Sequence, residues 1–171
     1  KQGARIAWQI LSALCYLHSQ GIIFRDLKPD NICFLNENTD TVKLVDFGSA
    51  TYIAGSQLLY DPFGCAYYIA PEMIAGKGYS QSIDIWALGI TVFMMFQYRA
   101  PFDAETDQQI IDKIETNNIE WGHREFDRLD KRCVQFLKLL LLRDVESRYD
   151  AESALDDPWL NEHCFDNGDY A

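Results

Sequence analysis

Phe24-Arg25-Asp26-Leu27-Lys28-Pro29-Asp30-Asn31 places a carboxylate, an ammonium and an amide within one octet, at spacings suited to moving a phosphoryl group. Further along comes Asp46-Phe47-Gly48, a second carboxylate set between the end of an apolar strand and a flexible glycine. From there it could hold a metal ion against the same phosphates. Phosphoryl transfer to a hydroxyl needs a proton acceptor, cations on the phosphate oxygens and a fixed in-line geometry, because positioning and electrostatics supply nearly all of the catalysis. Asp26 is the candidate acceptor. Lys28, two residues on in an extended loop, points the same way and can neutralise charge on the transferring group. Asn31 offers a neutral oxygen and Asp46 an anionic one, which together give the hard oxygen ligands that magnesium prefers. A lone Asp or Lys is ordinarily a solvated surface charge. Chance rarely supplies the octet and Asp-Phe-Gly together.

Around the octet the pattern is helical on one side and extended on the other. Ile6, Ile10, Leu14 and Leu17 recur at helical spacing, with Ala7 and Leu11 alongside, and Gly21 follows where a left-handed stop is needed, so the first helix is expected to end near His18 or Ser19. Residues 32–35 and 41–45 read as short apolar strands of a hairpin, joined by the polar run Asn36-Glu37-Asn38-Thr39-Asp40. Residues 49–63 lack sustained periodicity and read as a long exposed functional loop. Beyond the hairpin everything reads as helix. Pro71 opens one helix, Ser80 caps a long apolar one over about 81–98, and Asp103 or Thr106 starts another that reaches Thr116. Residues 131–142 are expected to be apolar nearly all round and buried, and Asp150 caps a short final helix ending near Pro158.

The 171 residues, 48% of them hydrophobic, suffice for one core. A domain of that size buries roughly 70% of its unfolded surface. The 15 Lys and Arg against 26 Asp and Glu give a net charge of -11, which disfavours nucleic acid and favours cationic partners such as basic peptides. The same charge is also what a plain soluble acidic surface shows. Five cysteines, odd in number and never in a C-x-x-C pair, indicate neither a disulfide framework nor a zinc site. With no membrane-length apolar run and no leader-like start, the expected location is the cytoplasm or nucleus, away from membranes.

The octet and Asp46-Phe47-Gly48 resemble the catalytic loop and the magnesium loop of eukaryotic protein kinases. Ala70-Pro71-Glu72 is similar to the motif closing that family's activation segment, Asp84-Ile85-Trp86-Ala87-Leu88-Gly89 to the start of its central helix, and Arg148 to an arginine near its C-terminus. The resemblance implies a mainly α fold, the kinase C-terminal lobe, with a small β-hairpin carrying the catalytic and magnesium loops. It implies that Asp26, Lys28, Asn31 and Asp46 are catalytic, that Asn31 and Asp46 bind Mg2+, and that Lys28, Asp30, Asn31, Cys33, Val45 and Asp46 contact ATP. Asp30 would also be an acidic contact near the substrate. Phe24, Phe47, Gly48, Glu72, Asp84, Trp86 and Arg148 would be architectural, with Glu72 pairing with Arg148 and Asp84 accepting backbone N–H groups of the catalytic loop. Arg25, Asp61, Gly64, Cys65 and Tyr68 fall in or against the activation segment.

Two departures from the family stand out. Phe24 replaces the usual histidine, keeping the stacking on Phe47 while losing a hydrogen bond. Cys65 replaces the usual threonine, whose hydroxyl would bridge Asp26 and Lys28, and a thiol is the weaker partner. Asp61 lies where calmodulin-dependent relatives often carry an activating phosphothreonine, and Arg25 is the residue that would bind that phosphate. Asp61 therefore either replaces the phosphate or merely solvates a loop tip.

Gly64-Cys65-Ala66-Tyr67-Tyr68-Ile69-Ala70-Pro71-Glu72 and Ala100-Pro101-Phe102-Asp103 are similar to the calcium/calmodulin-dependent and calcium-dependent serine/threonine branch. Lys28 in the catalytic loop implies serine/threonine specificity, and the branch admits calcium-sensor regulation outside this chain. Met94 stands where some basic-directed relatives have glutamate, so a second substrate arginine is not indicated. The resemblance runs over residues 1–163, leaving 164–171 as a frayed tail. It covers only the larger lobe, because no G-x-G-x-x-G loop and no Val-Ala-Ile-Lys strand occur. The chain by itself is thus expected to bind ATP weakly, its nucleotide pocket being completed by a small lobe it lacks. The two function readings are a serine/threonine kinase lobe, active in the complete protein, and a catalytically silent kinase-like binding module.

Overall fold

In the computed structural model, residues 1–36, 39–61, 63–116, 119, 121 and 126–164 are described. The apolar stripe of the first helix, α1 (Gln2–Ser19), buries Ala4, Ile6, Ala7, Ile10, Leu11, Leu14 and Leu17. Gly21, at φ +72°, supplies the left-handed turn that ends it. The chain then enters β1 (Ile22–Ile23), the catalytic octet with a 3-10 turn over Pro29–Asn31, and the hairpin β2 (Ile32–Phe34) and β3 (Val42–Leu44), paired antiparallel with Ile32 opposite Leu44. Gln9 fastens this hairpin to α1, donating to the Asp40 carbonyl at 2.8 Å and accepting the Val42 N–H at 3.0 Å. Glu37 and Asn38 of the expected hairpin turn lie outside the described residues, as do residues 165–171 of the expected tail.

A second small sheet was not legible in the sequence. β4 (Thr51–Tyr52) pairs antiparallel with β1, Ile23 opposite Thr51, at the start of the stretch expected to be loop. Beyond it come α2 (Pro71–Ile74), α3 (Ser82–Gln97), α4 (Asp107–Thr116), α5 (Lys131–Leu140), α6 (Ala151–Leu155) and α7 (Pro158–Cys164), so the fold is mainly α, as expected. No described helix is long and apolar enough to cross a membrane.

The all-round burial expected of residues 131–142 belongs instead to α3, in which every residue from Ile83 to Phe93 is buried. α1, α5 and other elements surround it. α5 is amphipathic: Cys133, Phe136, Leu137 and Leu140 face the core while Lys131, Arg132 and Lys138 are exposed. Lys131 and Arg132, then Gln135 and Lys138 at steps of three, open a polar face that a count of leucines conceals. Ser80 does not cap α3; the N-cap is Gln81, without a side-chain cap bond. Thr106 does cap α4, its hydroxyl accepting the Gln109 N–H at 3.4 Å. Asp150 caps α6 as expected, accepting the Ser153 N–H at 2.8 Å, but Pro158 opens a further helix rather than closing the last one. The Asp157 carboxylate receives the Trp159 N–H at 2.8 Å, and Cys164 is the last residue of α7 rather than part of the tail.

Glu72 of α2 and Arg148 form a two-pronged pair at 2.7 and 2.9 Å, and the Arg148 side chain is wholly buried. Removing two charges from water is costly, and the surroundings offset it with further bonds. Ser82 donates to Glu72 at 3.0 Å, and the Arg148 guanidinium donates to the Leu142 and Ser82 carbonyls at 2.7 and 3.0 Å. The guanidinium carbon also lies 5.1 Å from the ring centroid of Trp86, which stacks on Phe102. Truncating one partner strands the other, so Glu72→Ala is expected to cost about 3–5 kcal/mol. Urea unfolding of the chain should show this as a lowered midpoint at unchanged slope. A loss under about 1 kcal/mol, the level of an exposed pair, would contradict the buried-pair reading.

Candidate active site

The catalytic octet is held from behind by one carboxylate. Asp84, in the first turn of α3 and only 1% exposed, accepts the Phe24 N–H at 2.8 Å on Oδ2 and the Arg25 N–H at 2.9 Å on Oδ1. The expectation for Asp84 therefore holds. A third contact comes from His18 of α1, whose Nε2 lies 2.9 Å from Asp84 Oδ2. His18 was missed in the sequence reading; the available signal was a polar ring at the end of the buried stripe of α1, just ahead of the octet. Arg25 adopts φ +66° and Asp46 φ +59°, left-handed conformations that cost non-glycine residues about 1–3 kcal/mol each.

Three of the four expected catalytic side chains meet directly. Lys28 Nζ donates to both Asp26 carboxylate oxygens, at 3.0 and 2.8 Å. That hydrogen bond is the largest influence on Lys28 and raises its pKa above the ordinary lysine value. Asn31 donates through Nδ2 to Asp26 Oδ2 at 2.9 Å and to the Asp26 carbonyl at 2.7 Å. With its N–H groups committed there, the Asn31 amide oxygen is left as an acceptor. Asp46 makes no direct hydrogen bond to these three. It reaches their neighbourhood through the backbone, because the Val45 N–H donates to the Asn31 carbonyl at 2.9 Å. Its exposed carboxylate accepts the Gly48 N–H at 3.1 Å. Phe47 meets buried Phe24 edge to face at 5.2 Å between centroids, the stacking expected for a phenylalanine at position 24.

Cys33 is exposed opposite Lys43 in the hairpin, Val45 is half-buried and Asp30 is exposed at the 3-10 turn. A cleft beside Asp26 is lined by Arg25, Gly64, Cys65, Tyr68 and Ile69 among others. Cys65 is exposed and its thiol makes no hydrogen bond to Asp26 or Lys28, consistent with a weaker partner than a hydroxyl. Tyr68 donates to Met94 Sδ at 3.6 Å, and burial pushes its phenol up to about 12.

Arg25 gathers the activation segment. Its Nη1 donates to Asp61 Oδ2 at 2.8 Å, its Nε donates to the Ser49 carbonyl at 2.7 Å, and its guanidinium carbon lies 4.7 Å from the Phe63 ring centroid. Asp61 thus meets Arg25, as a phosphate replacement requires. Tyr79, which was not singled out in the sequence, donates to the same carboxylate at 3.0 Å. That bond comes first among the influences holding Asp61 below the usual carboxylate range, with Arg25 adding to it.

Residues 1–160 match the protein kinase domain family. The chain is 32% identical over 163 residues to a probable myosin light chain kinase of Dictyostelium discoideum, covering 94% of this chain and 47% of that protein. It is 31% identical over 159 residues to calcium-dependent protein kinase 4 of Plasmodium falciparum, covering 92% of this chain and 30% of that protein. Against CDPK-related kinase 4 of Arabidopsis thaliana the figures are 35% over 159 residues, 92% and 27%. The chain therefore spans less than half the length of each of these relatives. With the buried Glu72–Arg148 pair, the Asp84-anchored loop and the Asp26–Lys28–Asn31 cluster on a mainly helical frame, the chain belongs to the protein kinase domain family.

Proposed function

We propose that this chain is the catalytic lobe of a serine/threonine protein kinase that transfers the γ-phosphoryl group of ATP to a protein hydroxyl. The observation that carries the reading is the Asp26 carboxylate gripped at once by Lys28 and Asn31. A binding module has no need of both. In the reaction Asp26 accepts the proton of the attacking serine or threonine hydroxyl, whose oxygen bonds to the γ-phosphorus as the bond to the β-phosphate oxygen breaks and ADP leaves. Lys28, hydrogen-bonded to Asp26, is the cation nearest the attacking oxygen and offsets charge on the transferring group. Asn31 fixes the Asp26 carboxylate in one orientation.

Among the described residues no three of His, Cys, Asp and Glu gather into a ready-made metal cage. Asn31 and Asp46 instead suit an ion that keeps several ligands from water and phosphate, which is magnesium's habit. When bound, that ion would neutralise phosphate charge. Cys33 and Val45 are proposed to contact the nucleotide and Asp30 the substrate. The net charge of -11 supports a basic peptide as acceptor, and the calcium-dependent relatives support control by a calcium sensor elsewhere in the protein.

Asp61 is proposed to stand in for an activating phosphate. Its depressed pKa sets the sign of the pH dependence: the Arg25–Asp61 pairing is complete above the ordinary carboxylate value of about 3.9 and is lost as pH falls through the lower folded value. A phosphate, with a second ionisation near 6, would instead lose charge between about pH 7 and 5.

In the full-length protein, Asp26→Asn is expected to lower magnesium-dependent transfer to a serine-containing basic peptide by about 10²–10⁴-fold. Transfer by the variant at the wild-type rate would remove Asp26 from the reaction. Asp61→Asn should reduce turnover, and amide exchange protection at Leu59 should stay level from pH 8 to 5 before falling. Unchanged turnover, or a protection step near pH 6, would count against the carboxylate clamp.

A further inference from the structure

Residues 78–84, the turn before α3 and its first turn, grip two separate parts of the site. Asp84 holds the backbone of the catalytic loop at Phe24 and Arg25. Five residues earlier in the chain, Tyr79 holds the activation segment by its backbone and by its side chain. The Leu59 N–H donates to the Tyr79 carbonyl and the Tyr79 N–H donates to the Leu59 carbonyl, both at 2.9 Å, an antiparallel bridge outside either sheet. The Tyr79 ring is only 2% exposed, which leaves its hydroxyl as the polar tip of a buried side chain. That hydroxyl lies 3.0 Å from Asp61 Oδ1 and 3.0 Å from the Asp61 carbonyl, and Arg25 Nη1 donates to it at 3.4 Å. A phenol has one proton to give and lone pairs to receive with, so it mediates between the guanidinium and the carboxylate.

The preceding residue completes the dock. Gly78 sits at φ +82°, and a Cβ there would come within 2.9 Å of the Tyr60 ring and 3.0 Å of Leu58 Cβ. The absent side chain lets Leu58 and Tyr60 cross close to this backbone, on either side of the Leu59 bridge. Leu58 and Tyr60 remain 42% and 68% exposed, so of these three side chains only Leu59 packs against the core, and the polar contacts to Tyr79 add to that hold.

We propose that Tyr79 is a positioning residue for peptide binding: through the Leu59 bridge and the hydroxyl contact to Asp61 it fixes the activation segment against Arg25, and with it the Asp26 cleft that Gly64 and Cys65 line. This rests on the kinase reading above. Order of the activation segment thus depends on a phenol outside both that segment and the catalytic loop, at the root of α3. Asp84 fixes the catalytic loop from that same root, so one element sets the spacing between the two.

The test uses the full-length protein with Tyr79→Phe, which keeps the ring and the bridge and deletes one oxygen. KM for a serine-containing basic peptide is expected to rise roughly tenfold, the effect of losing a hydrogen bond to a charged group, while KM for ATP stays unchanged. Asp61→Ala combined with Tyr79→Phe should cost less than the sum of the two single changes, because each removes the bond between the phenol and the Asp61 side chain. Amide exchange at Leu59 should accelerate in Tyr79→Phe and in Gly78→Ala, the second variant acting through the notch rather than the phenol. An unchanged peptide KM, a rise shared by ATP, or fully additive losses would overturn the proposal. Should the wild-type protein transfer no phosphate, the kinase reading fails by itself, and Leu59 exchange still decides the dock: full protection retained in both variants would refute it.

Discussion

Everything at the site depends on one buried carboxylate. Asp84 receives two backbone N–H groups and the His18 ring within 2.9 Å, and so joins the end of α1, the start of the catalytic loop and the root of α3 at a single point. The donors need it as much as it needs them. A loop entering the core at Phe24 with unmet N–H groups would forfeit about 1–3 kcal/mol for each, and a carboxyl group 1% exposed without donors would bury its oxygens unpartnered. Arg25 at φ +66° shows the consequence: the backbone accepts a conformation unfavourable to arginine because its N–H is held and its side chain is fastened at Ser49 and Asp61. The strained turn aims Asp26 the other way, toward Lys28 and Asn31.

The second buried ionic group has a different task. Glu72 and Arg148 join α2 to the turn before α6, closing the far end of the activation segment against the helical core. The ends of that segment are therefore both fixed, near Asp46 by the β1–β4 pairing and at Glu72 by the ion pair, and the middle is held by Arg25 and Tyr79. With Leu58 and Tyr60 exposed and only Leu59 between them packed on the core, polar contacts carry much of the hold on the middle. A segment tied in this way can change with the state of a few polar groups while the surrounding helices stay intact.

Most of this was legible where residue type and local spacing determine the outcome. The stripe of α1, the hairpin, Thr106 and Asp150 as caps, and the direct meeting of Asp26, Lys28 and Asn31 all follow from short-range patterns. The Glu72–Arg148 and Asp84 contacts came from resemblance, since partners so far apart in sequence leave no local mark. What escaped were interactions too short or too distant for a period. β1 and β4 have two residues each, below any alternation a strand can display. His18 and Tyr79 are ordinary helix-end and turn residues until α3 is placed between them. The error over α5 has a related cause: its leucines suggested all-round burial, whereas α3, with hardly a charge after Asp84, was the helix surrounded on every side.

The charges at the site show why its surface carries the sign it does. The two cations of the octet are matched inside the protein, Arg25 by Asp61 and Lys28 by Asp26. Asp30 and Asp46 form no ion pair among the described residues; both are exposed, Asp30 acts on Lys28 only at a distance, and Asp46 receives only a backbone N–H. The uncompensated charge of the site is therefore negative, in a chain whose net charge is already -11. A bare phosphate chain approaching this face would be repelled unless a divalent cation came with it, whereas a lysine or arginine side chain would be attracted. That asymmetry supports magnesium beside Asp46 and a basic segment beside Asp30 on one electrostatic argument, drawn from which carboxylates the fold leaves unpaired.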